Sequence, residues 1–288
     1  MEDHDYPALF KAADKASISA QNHYFNALKA YIFLLVIAAL VSFTWPKDTW
    51  GAISSASLFL ITLGILVWLK MKKPEDIWYN GRAVAESVKT RTWRWVTKSS
   101  PYDAQTQTQA QAHLISDLRG ILEQNQSLSQ YMDGTDSFGE AITQRMITIH
   151  NLPWDQRLDI YKEHRINEQL AWYSNKSAYN KKLAKRWFIT SLALHSAAAL
   201  MLLYTISDPL ISLPIAVIAT AASTVLTWVQ TKKYGELRSA YALAAHEISF
   251  VRAGATSIAS EQQLSEFIIN SEAAFSREHT QWAARRNG

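Results

Sequence analysis

The chain has 288 residues, no cysteine and a formal net charge of +4 at neutral pH. This length allows two domains, and the lack of cysteine excludes disulfides and thiolate metal ligands. Residues 1–5 are mostly acidic, and no short apolar run with a small-residue cleavage site follows them, so a cleaved signal peptide is not expected. The placement of the charges carries more information than their small sum.

The first predicted elements are a helix at residues 7–29 and two charge-free stretches, 30–46 and 49–69. A bilayer core needs roughly 20 apolar residues in helical form, and both stretches approach or reach that length. Only Lys47 and Asp48 separate them. Two apolar segments joined by so short a turn predict a hairpin that crosses a membrane and returns.

The central part of the chain is polar. A helix rich in Trp, Arg and Val is predicted at residues 76–98, and a Gln/Thr/Ala tract begins another helix at 105–132. An Asp-Gly turn signal follows, and then a short helix at 138–149. Residues 103–152 are therefore interpreted as a polar helical linker.

The second half begins with a long uninterrupted segment. No Gly or Pro occurs between Trp154 and Pro209, which predicts one nearly continuous helix about 80 Å long at 1.5 Å per residue. Its end, residues 187–207, is charge-free, and a fourth charge-free stretch at 209–231 follows after Asp208 alone. These two stretches predict a second membrane hairpin.

Further helices are predicted at residues 232–251 and 261–285, and strand signals are almost absent. Both halves follow one plan, so we predict a parallel internal duplication with a period of about 160 residues. The domains are a first helix–span–span–helix module at 1–102, the linker, and a second such module at 153–288. The predicted fold is an all-α membrane protein with four transmembrane helices in two hairpins and long cytosolic helical stalks.

Basic residues cluster at the open ends of both predicted hairpins, and the two turns contain only Lys47. Positive charge near membrane ends stays in the cytoplasm, so both termini and the central region are predicted to face the cytosol. Buried hairpins of a soluble protein are the alternative, but such helices normally carry a charged stripe, which these four lack. The flanking basic residues are Lys29, Lys70, Lys72, Lys73, Arg82, Lys176, Lys181, Lys182, Lys185, Arg186, Lys232, Lys233 and Arg238.

The sequence contains no pattern of a known catalytic centre. It lacks a phosphate-binding glycine loop, a Gly-x-Ser-x-Gly elbow and a His-Glu-x-x-His zinc pattern. The spans also lack Asp, Glu, Lys and Arg, which argues against a coupled transporter. We therefore expect no enzyme activity, no metal and no cofactor.

Small and hydroxylated residues form a stripe on the fourth stretch, and one histidine lies within the third. Two interpretations remain open: the stripe lines a weakly polar pore in an oligomer, or it lets helices pack closely with hydroxyls bonded to their own backbone. The histidine marks either a pathway or an interhelical hydrogen bond. The candidate pore-lining residues are Thr220, Ser223, Thr224, Thr227 and His195, and the candidate gate residues are Ile218 and Leu226.

Three arginines alternate with tryptophans after the first hairpin: Arg82, Arg91 and Arg94. Such a pattern can bind a nucleotide by ion pairing and stacking. The alternative is that Arg82 and Glu86 form an i,i+4 ion pair and the tryptophans belong to the core of a helical bundle. These arginines are secondary candidates for ligand binding.

Several blocks of the sequence have a recognisable pattern. Residues 6–10, 12–17 and 21, followed by 78–90, 93–95 and 101–102, resemble the leading helix and the post-span helix of one SLATT subfamily. The second half resembles another SLATT subfamily. The residues that carry this second resemblance are Leu152, Pro153, Arg157, Leu158, Tyr161, Arg165, Ile166, Gln169, Leu170, Trp172, Tyr173, Lys176, Ala178, Asn180, Glu272, Phe275, Glu278, His279 and Trp282.

SLATT domains are bacterial two-span modules of nucleotide-signalling and conflict systems. The resemblance implies an effector of the bacterial inner membrane that forms a pore or ion channel in anti-phage or stress-induced cell death. The charge placement adds the multi-pass topology with both termini in the cytoplasm. The resemblance brings no catalytic residues. Four tightly packed spans leave no aqueous channel, so a conducting path requires a ring of copies, with a tetramer as the first expectation.

The expected partners are membrane lipids, further copies of the chain and a cytosolic sensor protein or signalling nucleotide, but no nucleic acid. The alternative function is a non-conducting membrane scaffold, or a nucleotide-sensing membrane protein, that docks a cytosolic partner through its helical stalk.

Overall fold

The computed structural model describes residues 1–46, 48–103, 106–134 and 139–284, the last eight of them by their backbone alone. Lys47 and the predicted helix starts at 105 and 138 lie outside these residues. The side chains of Glu278, His279 and Trp282 also lie outside them. Within the described residues there are helices and no strand, which confirms the all-α class.

The long helices begin and end close to the predicted positions. Short 3₁₀ turns lie at Asp3–Asp5 and Ala255–Ser257, and a π-helical turn at Lys162–Asn167 joins α7 to α8. The helices of the described residues are α1 (Ala8–Thr44), α2 (Thr49–Lys72), α3 (Pro74–Val96), α4 (Gln107–Gln124), α5 (Gln126–Ser129), α6 (Gln144–His150), α7 (Trp154–Tyr161), α8 (Glu168–Ser207), α9 (Ile215–Lys232), α10 (Tyr234–Gly254) and α11 (Glu261–Ala284).

Three helical segments of the described residues are long and apolar enough to cross a membrane: α1 (Ala8–Thr44), the run of α2 and α3 (Thr49–Val96), and the run from α7 through the π-helical turn to α8 (Trp154–Ser207). The third confirms the long helix predicted from the absence of Gly and Pro. The fourth predicted span is represented by α9, which has 18 residues and is not one of the three. Four spans and their hairpin arrangement therefore remain predictions.

Helix α9 begins at Ile215, six residues later than the predicted span at 209–231. Pro209 and Pro214 explain the late start. Proline has no N–H to donate, and it clashes with the preceding turn inside a helix, so it is tolerated only in a first turn. Pro214 accordingly caps α9, and Ile218 donates its N–H to the Pro214 carbonyl at 3.1 Å.

Helices α2 and α9 end in the same way. The residue after each is a lysine in the left-handed conformation, Lys73 at φ 44° and Lys233 at φ 49°. Each lysine donates its N–H to a helix carbonyl four residues back, that of Leu69 or Val229. A left-handed residue is a common helix terminator, but it is usually glycine. Lys98, two residues after α3, is also left-handed at φ 52°, so a left-handed lysine is not specific to the two predicted hairpins and the internal duplication stays a prediction.

The chain forms two compact units. Unit 1 contains Met1–Asn22, Pro74–Ser174 and Leu243–Gly288, and unit 2 contains His23–Lys73 and Asn175–Ala242. The most apolar stretches of the sequence fall in unit 2, whereas the predicted linker and stalk regions fall mostly in unit 1.

Helix α3 organises unit 1 and packs against α4, α6 and α11. Its tryptophans supply much of the core, because Trp93 and Trp95 are both fully buried. Trp93 donates its indole N–H to the Tyr6 hydroxyl at 2.9 Å. Trp95 stacks on His150 with ring centroids 4.2 Å apart. These contacts bring α3 against the start of the chain and against α6.

Helices α1 and α3 approach closely at a glycine. A Cβ on Gly81 would lie 2.9 Å from the Ala13 carbonyl oxygen and 3.0 Å from the Ser17 Cβ. The Ser17 hydroxyl donates to the Trp78 carbonyl at 2.9 Å across the same contact. Only glycine allows the two backbones to come this close.

In unit 2, helices α1 and α2 contact each other through small residues. A Cβ on Gly51 would lie 2.5 Å from the Trp45 Cβ, and the Ser55 hydroxyl donates to the Ala38 carbonyl at 3.2 Å. Most large side chains of this unit point outward instead. Exposed examples are Phe33, Trp50, Phe59, Leu60, Phe188, Leu200, Leu203 and Leu210.

Candidate functional site

The hydroxyl stripe of α9 does not face a single environment. Thr224 is buried within unit 2 and Thr220 is half-buried, whereas Ser223 and Thr227 are exposed. Thr220, Thr224 and Thr227 each donate to a carbonyl three or four residues back, at 2.8–3.0 Å. These hydroxyls are therefore satisfied by their own helix, as the packing interpretation requires.

The remaining candidates of unit 2 lie on its surface or partly within it. His195 is exposed, and its Nδ1 lies 2.7 Å from the Ser191 carbonyl oxygen of the same helix. This imidazole is therefore engaged by its own helix. Of the two gate candidates, Leu226 is exposed and Ile218 is half-buried.

The arginines of α3 are not brought together into one site. Arg82 forms ion pairs with Glu86 at 2.9 Å and Asp14 at 3.7 Å, and Arg91 pairs with Asp117 at 3.6 Å. Arg82 and Arg91 are nine positions apart, which places them on opposite faces of a helix. The structure thus contains the i,i+4 pair of the alternative interpretation.

Arg94 makes no ion pair within the described residues, and its Nε is buried without a hydrogen-bond partner there. Its neighbours Trp93 and Trp95 are core residues of unit 1. They are therefore not available to stack on a nucleotide.

A buried ion pair lies at the centre of unit 1, between the π-helical turn and α11. Arg165 is 1% exposed and Glu272 is 0% exposed. Arg165 donates from Nε to Glu272 Oε1 at 2.9 Å and from Nη2 to Oε2 at 2.8 Å. Two parallel bonds between a guanidinium and a carboxylate form the strongest geometry for such a pair.

Two neutral donors complete the coordination of the Glu272 carboxylate. The Tyr161 hydroxyl donates to Oε1 at 2.9 Å, and the Thr90 hydroxyl donates to Oε2 at 2.7 Å. Each carboxylate oxygen thus accepts two hydrogen bonds. A buried charge is tolerated when its lone pairs are satisfied in this way.

The surroundings keep the members of this cluster in the protonation states that the bonds need. Burial favours neutral arginine, but attraction and hydrogen bonds from Glu272 outweigh it and raise the pKa of Arg165. Burial and the Glu272 charge raise the pKa of Tyr161 well above 10, so its hydroxyl remains a donor. Burial and repulsion from Arg165 lower the pKa of the nearby Lys89.

The pair belongs to a longer chain of charges through unit 1. Arg165 Nη1 lies 3.9 Å from Glu86, and Glu86 pairs with Arg82, which reaches Asp14 of α1. The resulting order is Asp14, Arg82, Glu86, Arg165 and Glu272. We call these five residues the charge network. It joins α1, α3, the π-helical turn and α11.

The local geometry at Arg165 is unusual. The turn Lys162–Asn167 is π-helical, between the α-helical α7 and α8. A π-turn holds one more residue than an α-turn and occurs frequently at functional sites. The Arg165 guanidinium carbon also lies 4.8 Å from the centroid of the Phe275 ring. The turn, the network and an aromatic face thus meet at one residue.

A second buried arginine ties α7 to its neighbours. Arg157 is 2% exposed and donates from Nε to the Leu152 carbonyl at 3.0 Å. It also donates to the Thr97 carbonyl and to the Glu261 carboxylate. Arg157 therefore links the end of α3 with the start of α11.

The sequence analysis quotes these residues as part of a resemblance but assigns them no role. One signal was available, because Arg157, Tyr161 and Arg165 recur every four positions and so share one helix face. Their carboxylate partner could not be identified in this way, because Glu272 lies 107 positions from Arg165. The described residues contain no cluster of side chains suited to a metal ion.

The fold and the charge network define an all-helical protein in which residues from both halves of the chain meet in one buried group of charges. Residues 7–158 match the family model described as SMODS and SLOG-associating 2TM effector domain 3. Residues 161–282 match the model of SMODS and SLOG-associating 2TM effector domain 1. The chain therefore belongs to the SLATT family and carries two different SLATT domains in tandem, which confirms the resemblance.

No curated protein and no solved structure matches the chain. The first family match includes residues 103–152, and the two matches meet near residue 160. The charge network crosses this division, because Asp14, Arg82 and Glu86 lie in the first match, and Arg165 and Glu272 in the second. The two domains are thus packed together within unit 1.

Proposed function

We propose that this protein is an oligomeric membrane effector of a bacterial conflict or defence system, and that it acts by forming an ion-conducting pore in the inner membrane. SLATT domains are effector domains associated with such systems, and the chain carries two of them. The proposal includes multi-pass insertion by two hairpins with both termini in the cytoplasm.

The observation that carries the proposal is the outward-facing apolar surface of unit 2. Phe33, Trp50 and Leu210 are 65%, 73% and 96% exposed. The most apolar 18-residue window of the Trp154–Ser207 helix contains no buried residue. Water-soluble monomers rarely expose contiguous apolar surfaces of this kind, so lipid or further copies of the chain must cover this one.

A pore requires several copies in this proposal. A cavity of about 410 Å³ within unit 2 has mainly apolar walls, with Lys29 and Thr224 as the polar residues that line it. Two polar side chains do not make a continuous path for ions, so the proposed path lies between copies. Residues that line a pore between copies must be exposed on the surface of each single copy. Ser223 and Thr227 meet this condition, with Leu226 as the gate candidate on the same surface, whereas Thr224 packs inside.

The trigger in this proposal acts on unit 1. Its charge network joins elements of both SLATT domains, and Arg165 of this network lies in a π-helical turn, a feature that is frequent at functional sites. The chain passes from one unit to the other within α1, α8 and α10 and directly after α2. A cytosolic sensor protein or a signalling nucleotide that rearranges the helices of unit 1 would therefore act on unit 2 through these four helices.

The test is ion flux through liposomes that contain the purified protein. We expect the wild type to release trapped ions, and Thr227→Leu or Ser223→Leu to lower the flux about tenfold, since each removes a polar group from a narrow pore. Thr190→Leu is the matched control, because Thr190 is a half-buried threonine on α8 that bonds to its own helix in the same manner.

No flux from an intact oligomer, under all candidate cytosolic nucleotides, would contradict the pore proposal. An equal loss in Thr190→Leu would show that the effect is not specific to the proposed lining.

A second candidate function is a non-conducting membrane scaffold. It is favoured by an apolar groove of about 470 Å³ in unit 1, lined by Leu9, Ile115, Leu118 and Leu122 among others. The scaffold predicts that Ile115→Asp with Leu122→Asp abolishes growth arrest in cells while Thr227→Leu does not. The pore proposal predicts instead that Thr227→Leu reduces growth arrest more than Ile115→Asp with Leu122→Asp does.

A further inference from the structure

A second feature of unit 2 is an apolar cavity beside two lysines. The cavity has a volume of about 410 Å³ and lies between α1, α8 and α9. Its walls are mainly apolar and aromatic, and the polar residues that line it are Lys29 and Thr224. The main wall residues are Ile32, Val36, Trp187, Val225 and Trp228.

The second lysine stands on the aromatic wall. The Lys232 ammonium nitrogen lies 3.1 Å from the Phe25 ring centroid and 5.1 Å from that of Trp228. Trp228 in turn contacts Trp187 with ring centroids 6.5 Å apart. Lys232 is thus held over the same aromatic group that borders the cavity.

Phe25 and Lys29 lie one turn apart on the same face of α1, so Lys232, which stands on the Phe25 ring, is beside Lys29. Two ammonium groups at one helix face repel each other. Among the described residues, no carboxylate forms an ion pair with either lysine. The neighbouring Lys233 differs, since it pairs with Glu236 at 3.8 Å. Two adjacent cations at an apolar cavity are unfavourable unless an anion lies between them.

The position along the chain indicates which anion this is. Lys29 directly precedes the charge-free stretch 30–46, and Lys232 directly follows the stretch 209–231. Both lysines therefore stand at the depth of lipid headgroups if these stretches cross the bilayer. Trp187 and Trp228 also suit this depth, because tryptophan is enriched at membrane interfaces.

We infer that this cavity binds one anionic phospholipid, with its phosphate between Lys29 and Lys232 and an acyl chain against Ile32, Val36 and Val225. The inference rests on the proposed insertion of unit 2 in a membrane. Basic pockets between membrane helices on the cytoplasmic side recognise anionic headgroups in this way. The bound lipid would seal an opening between α1 and α9 that the side chains of the protein leave unfilled.

The experiment is a titration of the full-length, detergent-solubilised protein with phosphatidylglycerol, followed by native mass spectrometry. Each lysine near an anionic surface contributes about 1 kcal/mol, so we expect Lys29→Gln with Lys232→Gln to weaken binding roughly thirtyfold. Lys29→Arg with Lys232→Arg should bind nearly as well as the wild type.

The matched control is Lys181→Gln with Lys182→Gln, which removes the same charge from exposed positions of the same unit. It should retain wild-type affinity. Val36→Phe fills the cavity without changing the charge, and we expect it to lower phosphatidylglycerol binding as well. Phosphatidylcholine, which has no net charge, should bind at least tenfold more weakly than phosphatidylglycerol.

Three results would overturn the inference: equal affinity for the two lipids, an equal loss in the control pair, or displacement of the lipid by excess inorganic phosphate while Val36→Phe has no effect. The last result would indicate a phosphate site without a lipid chain. Because the measurement does not depend on conductance, failure of the lipid site and failure of the pore proposal are distinguishable.

Discussion

The two units of this protein distribute polarity in opposite ways. Unit 1 places fully buried charged groups at its centre, with Arg165 and Glu272 surrounded by donors and acceptors. Unit 2 buries mainly small side chains such as Ala38, Ser55 and Ala222, and it turns its large apolar residues outward. Unit 1 therefore contains charged groups within a largely apolar interior, whereas large apolar side chains cover much of the surface of unit 2.

This contrast fits the proposed insertion of unit 2 in a membrane, with unit 1 in water. In water, a buried ion pair costs desolvation energy, which good geometry and additional hydrogen bonds offset. Glu272 accepts four hydrogen bonds, whereas Arg165 Nη1 has no hydrogen-bond partner among the described residues and lies 3.9 Å from Glu86. In lipid there is no hydrophobic force between helices, so small residues and backbone contacts hold them together. Ser55 acts in this way between α1 and α2, and Gly51 allows α2 to approach Trp45, the residue that follows α1.

The largest expected effect comes from breaking the polar centre of unit 1. Glu272→Leu leaves Arg165 buried without its carboxylate, which should destabilise unit 1 by about 3–5 kcal/mol. Hydrogen exchange of the α3 and α11 amides measures this local loss. Replacing both partners, in Arg165→Met with Glu272→Leu, should restore most of the protection, because no unpaired charge remains.

The control for this comparison is Glu266→Gln, on the same helix but exposed. A surface substitution of this kind should change stability by no more than about 0.5 kcal/mol. Unchanged exchange in Glu272→Leu would mean that the charge network does not hold unit 1 together.

An intermediate effect is expected at the close contact between α1 and α3. Gly81→Ala adds a Cβ within 3.0 Å of two atoms of α1, and overpacking of this kind costs about 1–3 kcal/mol. Gly120→Ala is the opposite case, because its Cβ would meet nothing within 4 Å. It should stabilise α4 by up to about 1 kcal/mol. Thermal unfolding followed by circular dichroism compares the two, and equal shifts of the same sign would contradict the close contact.

The smallest expected effect concerns the pH dependence of unit 1. Burial lowers the pKa of His150 below its usual 6.5, and its Nδ1 lies 2.9 Å from the Trp95 carbonyl oxygen. Below pH 6.5 the unfolded chain therefore binds a proton more readily than the folded chain, so stability falls as the pH decreases through this range.

In His150→Gln the free energy of unfolding should decrease less between about pH 6.5 and 5 than in the wild type. The difference between the two proteins should reach about 1.4 kcal/mol for each unit by which the pKa of His150 differs between the unfolded and the folded chain. Urea unfolding of the two proteins across this range is the measurement. The exposed His246→Gln is the control and should leave the slope unchanged. A slope that survives in His150→Gln would assign the pH dependence to another group.

Much of the fold could be predicted because it depends on local properties of the sequence. The absence of Gly and Pro after Trp154 predicts the long helix, and the charge-free stretches predict the membrane candidates. The start of α9 was missed because the apolar composition of residues 209–214 concealed the effect of Pro209 and Pro214.

The sites were harder to predict because they depend on distant partners. Helical periodicity places Thr220, Ser223, Thr224 and Thr227 on one side of α9, but it does not reveal that neighbouring helices cover Thr224 and leave Thr227 exposed. In the same way, a buried arginine can be suspected from its spacing, while its carboxylate partner depends on how α11 packs against α3.

The two family matches meet inside the unbroken helix Trp154–Ser207, and no loop separates them. One gene product therefore always delivers the two domain types in equal number. In the proposed ring, rotation would relate identical chains, so the rotational order would equal the number of chains, which is half the number of domains. Each chain would then contribute two different domains to that ring, one of each SLATT type.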